Sequence, residues 1–171
     1  MIDVEEAKKR AEQNFLSGLN CTQSVAEVFA EELGFDRQQI LKISLPFGGG
    51  VCRMREMCGT FSGIMFCLGM YLGESSGDKT AKDNIYRHGQ ELARRFKEKN
   101  GSIICRELLG LVPMGTSDNL FKEKKTGFHE ADSPVSEQRT AEYYKKRPCP
   151  QLCGIAAEIF ASWLNENRPE K

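Results

Sequence analysis

The chain has 171 residues, with 24 basic and 24 acidic side chains for a formal charge of zero, and seven cysteines. That length suits one domain with a sizeable core. The charge balance removes the electrostatic case for nucleic acid or an anionic membrane surface as a partner.

The first residues, MIDVEEAKKRAEQ, resemble neither a signal peptide nor a lipidation site, so a cytoplasmic location is expected. In a reducing compartment an odd cysteine count argues against a closed disulfide framework. Metal ligation, redox cycling and simple burial remain open for the sulfurs.

Val4 to Leu19 predicts an amphipathic helix, with Ala7, Ala11, Phe15 and Leu19 on one face and Gly18 weakening its end. Asn20 is placed as an N-cap, with Gln23 in the capping-box position and Cys21 in the first turn. That second helix carries Val25, Val28, Phe29 and Leu33 and closes at Gly34. Asp36 is expected to cap a third, Arg37 to Leu45, which Pro46 stops.

A glycine run, Gly48 to Gly50, follows, then a loop with Cys52, Arg53, Arg55 and Glu56. It leads into an apolar run, Ile64 to Leu72, too short to cross a bilayer and read as a buried central helix. Cys58 falls in its first turn. Gly59 and Gly63 share one helix face, where a neighbouring helix or a bound group can come close.

Asp78 to Lys99 predicts a long polar helix with a narrow apolar stripe, closed by Asn100-Gly101. Ser102 is expected to cap a short helix, Ile103 to Leu109, with Cys105 near its third position. Residues 111–135 read as a long loop, with one helical turn at Asn119 to Lys125. Ser136 to Lys146 predicts another helix. Cys149 is then placed as the N-cap of a last one, Gln151 to Asn165, with Pro150 at its first position. No stretch reads as a strand or a repeat. The expected fold is an all-α, single-domain bundle of about six to eight helices spanning residues 1–171.

Cys21, Cys58, Cys105 and Cys149 therefore all fall at predicted helix starts. Unpaired N–H groups and the helix dipole there favour a thiolate over a thiol. Cys58 is the leading candidate because Arg53 and Arg55 are near it in sequence. Cys52 is a candidate resolving thiol or extra ligand. Cys153 lies one turn after Cys149 on the same face, a lesser candidate for a reversible disulfide or a shared metal with it and otherwise a small core residue, and Cys67 in the apolar run reads as core. The glycine run lacks the Lys-Ser/Thr of a phosphate loop. Its N–H groups can still bind an anion. Gly48, Gly49, Gly50, Gly59 and Gly63 are thus the candidate backbone contacts to a bound group. His88 and His129 lack zinc-motif spacing. Glu56 and Glu107 read as solvated helix surface.

Cys58-Gly59-Thr60-Phe61-Ser62-Gly63 resembles the signature of the redox-active family named for its pattern C_GCAxxG_C_C. Phe47 to Gly50, Asn20-Cys21, Cys105-Arg106-Glu107-Leu108-Leu109-Gly110 and Arg147-Pro148-Cys149 match the same family in the same order. The likeness runs from Phe15 to Trp163. Thr60 stands where the family name has alanine, and Cys52, Cys67 and Cys153 are additional thiols. The resemblance implies four cysteines paired in space and a redox role.

Two functional readings follow. In one, Cys58 is the attacking thiol, and Cys21, Cys105 and Cys149 are its partners in thiol–disulfide exchange or electron transfer. The partner is then a small thiol or a redox protein. In the other, the same four cysteines hold zinc or an iron–sulfur cluster, without the close Cys pairs such sites usually show. A non-catalytic helical scaffold with buried thiols is a third. The apolar central helix fits either a monomer core or the interface of a homo-oligomer.

Overall fold

The computed structural model describes residues 1–115 and 133–168. Among them are eight α-helices and no sheet. They are α1 (Val4–Leu16), α2 (Cys21–Ala30), α3 (Arg37–Ser44), α4 (Gly59–Leu72), α5 (Lys79–Asn100), α6 (Cys105–Leu108), α7 (Ala141–Lys146) and α8 (Cys149–Asn167). A 3-10 turn, Leu45–Phe47, follows α3 around Pro46. The expected turn at Asn119 to Lys125, and His129, lie outside the described residues.

Local sequence sets most of the boundaries. Asp3, Asp36, Asp78 and Thr140 each accept a backbone N–H from the helix they precede. Asn20 and Gln23 form the reciprocal capping box. The first helix ends three residues earlier than expected, because the chain turns out through Ser17 and Gly18, whose φ is +118°. The second ends at Ala30 and reaches Gly34, φ +80°, through turns. Cys149 opens the last helix instead of capping it, with Pro148 outside. Ser102 accepts the Ile104 N–H at 2.9 Å, so it shapes the turn before α6, and Cys105 becomes the first helical residue. Residues 136–140 precede α7 without joining it.

α8 is the backbone of the core. Its Trp163, Phe160 and Leu164 are fully buried, and α1 lays Ala7, Ala11 and Phe15 along it. Asn165 ties the ends together by accepting the Ile2 N–H at 2.8 Å and donating to the Ile2 carbonyl at 2.9 Å. α4 packs against α2, α5 and α8 and so is central, as its apolar sequence predicts. Gly59 and Gly63 form the α2-facing stripe. A Cβ on Gly63 would stand 2.6 Å from the Val25 Cβ. Truncating one of the buried aromatics would cost about 3–5 kcal/mol.

The result is that the starts of α2, α4, α6 and α8 meet at one end. No helix among the described residues is long and apolar enough to cross a membrane.

Candidate functional site

The glycine run begins the site. From Gly49 the chain takes positive φ at Gly50, Val51, Cys52 and Arg53, and again at Arg55. Each such non-glycine residue costs about 1–2 kcal/mol, and a β-branched one at φ 60°, as Val51 is, is rarer still. Backbone bonds hold the loop: Cys52 N–H to Pro46 at 2.7 Å, Glu56 N–H to Gly50 at 3.0 Å. Strain of this kind persists where the surroundings over-determine it. Its effect is to carry Arg53 and Arg55 round to the starts of the cysteine-bearing helices.

A short antiparallel bridge, Met57 with Ile104, joins two of those starts. Cys58 N–H donates to the Ile103 carbonyl at 2.8 Å, and Cys105 N–H to the Glu56 carbonyl at 2.6 Å. The space beside Gly50 is filled by the Cys105 Cβ, at 2.7 Å from where a Cβ would stand. The space beside Gly59 is filled by the Cys21 Cβ, and beside Gly48 by the Asn20 side chain. The chain's own atoms thus occupy the approach to these glycines. Gly48 and Gly49 also face a cavity.

That cavity has a volume of about 370 Å³. Cys21, Cys52, Cys105 and Cys149 line it, with Arg53, Arg55, Arg139, Arg147, Glu137 and Tyr143 among their neighbours. Cys58 and Cys153 lie behind this wall, both buried. Cys67 is buried on α4, and Cys52 is exposed.

Cys21 is half-buried and its environment is unlike the others. The neighbouring thiols of Cys149 and, one turn on along α8, Cys153 favour its thiolate as donors, and the Cys153 thiol also reaches the Cys21 carbonyl at 3.9 Å. Burial opposes these donors. The Gly49 N–H and the charge of Arg139 reinforce them, and the Cys21 thiol is held well below the usual range.

The remaining sulfurs move the other way. Burial, then the nearby Cys21 charge, pushes Cys58 up to about 11 against a bond from Thr60 at 3.1 Å. Burial and the Cys58 and Cys21 charges push Cys105 up to about 12, against Arg55. Cys149 is raised first by the hydrogen bond it gives Cys21, then by burial and by the Cys21 charge. Cys153 and Cys67 are raised by burial.

Sequence reasoning missed Arg139, Glu137, Tyr143 and the role of Arg147. Arg139 stands over the Phe15 ring at 4.4 Å and donates to the Phe15 and Leu19 carbonyls. No local signal marks it, since its partners lie more than a hundred residues away. Arg147 does adjoin Pro148-Cys149 in sequence and could have been picked from that. Glu107, expected on a solvated surface, is buried and receives the Ser102 hydroxyl. Glu56 is exposed and pairs with Arg106. His88 packs edge-on against Trp163.

The all-α bundle thus gathers six of its seven cysteines at one end, Cys21, Cys52, Cys105 and Cys149 on the cavity wall and Cys58 and Cys153 behind it. Residues 19–163 match the family described as "Putative redox-active protein (C_GCAxxG_C_C)", and the chain belongs to that family. No curated protein and no solved structure is significantly similar to it. Zinc or an iron–sulfur cluster would need converging donors. Among the described residues, no three His, Cys, Asp or Glu side chains are placed to hold a metal ion together. As placed, the described side chains do not form a ligand set for such a group.

Proposed function

We propose that the protein carries out thiol–disulfide exchange, with Cys21 as the attacking thiolate and Cys149 as the resolving thiol. The observation that carries this reading is the place of Cys21. It stands half-buried at the wall of a cavity that Arg139 also lines, where Cys105 and Cys149 are buried, and its neighbours favour its thiolate. The thiolate is the nucleophile in such chemistry. Cys58, favoured by sequence alone, is buried behind the wall, and its thiol is held in the protonated form.

The reaction runs in two displacements. The Cys21 thiolate bonds to one sulfur of an incoming disulfide, whose S–S bond breaks, and the departing thiolate leaves with its electron pair. Cys21 then carries no charge. The first cause that keeps Cys149 protonated, its hydrogen bond to the Cys21 thiolate, and the Cys21 charge vanish, while burial remains. Cys149 gives up its proton to the departing thiolate and attacks the Cys21 sulfur. A Cys21–Cys149 disulfide forms and the second small thiolate is released. The protein is oxidised by two electrons and the disulfide is reduced by two. Bond formation requires the two sulfurs to close to about 2.05 Å. In a reducing cytoplasm a small thiol returns the pair to its starting state.

The test uses a neutral disulfide, hydroxyethyl disulfide, on the reduced protein, followed by acid quench and mapping of the cysteines by mass spectrometry. A Cys21–Cys149 disulfide is expected. Cys149→Ser should stop at a mixed disulfide on Cys21, and Cys21→Ser should prevent both products. Seven free thiols after prolonged exposure would overturn the reading and leave a helical scaffold.

A further inference from the structure

The cavity that the sulfurs line also carries a concentration of guanidinium groups that exchange chemistry alone does not need. Arg147, Arg53 and Arg55 all point at one oxygen, Oε1 of Glu137. Arg147 is in direct contact, with Arg53 at 3.5 Å and Arg55 at 3.9 Å. The arginine side chains are largely withdrawn from water, 17 % exposed for Arg53 and Arg147, while Glu137 is 47 % exposed. Arg53 and Arg147 by themselves bring two positive charges to that carboxylate. A guanidinium is a planar donor matched to carboxylates and is always charged.

The two sides of this contact are built differently. Arg53 is fixed by the left-handed loop and by its bond to the Ser133 carbonyl at 2.7 Å. Arg147 lies over the Tyr143 ring at 5.0 Å, directly before α8. Glu137 comes from the irregular stretch before α7 and reaches in from the solvent side. The guanidiniums are thus held by the fold and form a seat, while the carboxylate between them is half-exposed. Cys21 and Cys149 line the same cavity as the seat.

We propose that the cavity admits a small disulfide bearing carboxylate groups, one of which displaces Glu137 from Arg53 and Arg147 while its sulfurs face Cys21. The inference rests on the exchange reading and names its substrate class. Binding through the seat places the S–S bond against the thiolate, so reaction follows binding within one complex. It also gives a role to the arginines that share the cavity with the thiols. A positive cavity draws an anionic substrate inward, and a cationic one meets repulsion.

The experiment measures the rate of Cys21 oxidation with three disulfides, which are oxidised glutathione (anionic), hydroxyethyl disulfide (neutral) and cystamine (cationic). Each rate is divided by that of a free small thiol with the same reagent. The expected order is anionic, neutral, cationic, with the anionic preference falling as salt is raised. Arg53→Gln with Arg147→Gln should reduce the anionic-to-neutral ratio about tenfold. Glu137→Gln, which empties the seat of its resident charge, should raise that ratio. Should the double variant fail to fold, the salt dependence and Glu137→Gln decide alone. Equal normalised rates for the three reagents, with Cys21 oxidised by all of them, would overturn the anionic-substrate inference and leave the exchange reading standing. Cys21 unreactive to all three would overturn the exchange reading itself. Oxidation by a disulfide-bonded protein but by none of the small reagents would overturn the inference in favour of a protein substrate.

Discussion

Gly59 is pressed against Cys21: a Cβ built on the glycine would stand 2.9 Å from the Cys21 Cβ and 2.9 Å from the Thr22 hydroxyl. This contact lets the start of α4 reach the start of α2, and it sets where the Cys21 sulfur lies. Gly59→Ala therefore has to push one helix start away from the other. The expected loss is about 1–3 kcal/mol, read in thermal or urea unfolding, with slower modification of Cys21. Gly69→Ala is the control on the same helix. Nothing lies within 4 Å of that position, so alanine should add about 1 kcal/mol through helix propensity. Equal effects at the two glycines would contradict the close packing.

The acidities predict an order of reactivity. With iodoacetamide, Cys21 should titrate below the usual thiol value of about 8.5, because Cys149, Cys153, Gly49 and Arg139 favour its thiolate. Cys58 and Cys105 should lag, with midpoints near about 11 and about 12. The stability consequences have opposite signs. Cys21, depressed in the fold, contributes stability that is full above the ordinary thiol range and lost as pH falls through its lowered value. Cys58 and Cys105, raised in the fold, contribute stability at neutral pH that is lost as pH climbs past the ordinary value towards 11 and 12. Peptide mapping of alkylated protein across pH 5 to about 11 checks the order. An early Cys58 and a late Cys21 would reverse the assignment of the nucleophile.

The parts of the fold that were legible are those fixed within a few residues. The Asn20–Gln23 box spans three positions, and Asn100-Gly101 closes α5 with Gly101 at φ 85°. The placement of four cysteines at helix starts was readable for the same reason. What stayed hidden depends on contacts made across the chain. Cys21 is acidified from α8 and by Arg139, and neither neighbour is near it in sequence. The left-handed course through Val51 runs against residue preference, so no local pattern could announce it. Cys58 looked favoured because Arg53 and Arg55 precede it. That same loop brings both arginines to the wall of the cavity, which the buried Cys58 does not line.

Glu27 gives an acid-side test of the fold apart from the sulfurs. Its carboxylate is buried on α2 and receives Arg10 at 2.9 Å, Arg37 at 2.7 Å and Asn14 at 2.6 Å, which links α1, α2 and α3. Burial raises its pKa, but the two guanidiniums and the amide outweigh burial and hold it below the usual carboxylate value. A depressed carboxylate contributes stability that is present above the ordinary value and lost as pH falls through the lowered one. Glu27→Gln should cost about 2 kcal/mol at pH 7 and flatten the acid limb of the stability curve. An acid limb identical to that of the parent protein would show that Glu27 titrates normally.

The hydrogen bond from Cys149 to Cys21 makes a prediction about timing. Cys149 is held protonated chiefly because it donates to the Cys21 sulfur, and then by burial and the Cys21 charge. Cys58 and Cys105 also feel that charge. Cys21→Ser keeps a side chain of similar size, removes the negative charge and leaves the helix cap in place. Cys149 should then ionise at lower pH, with Cys58 and Cys105 moving in the same direction by less, since burial leads their shifts. Rates of Cys149 alkylation against pH, compared between parent and Cys21→Ser, measure this. A Cys149 profile that does not move would mean burial alone sets its acidity. Resolution of the mixed disulfide would then need a movement of α8 in place of the loss of one charge.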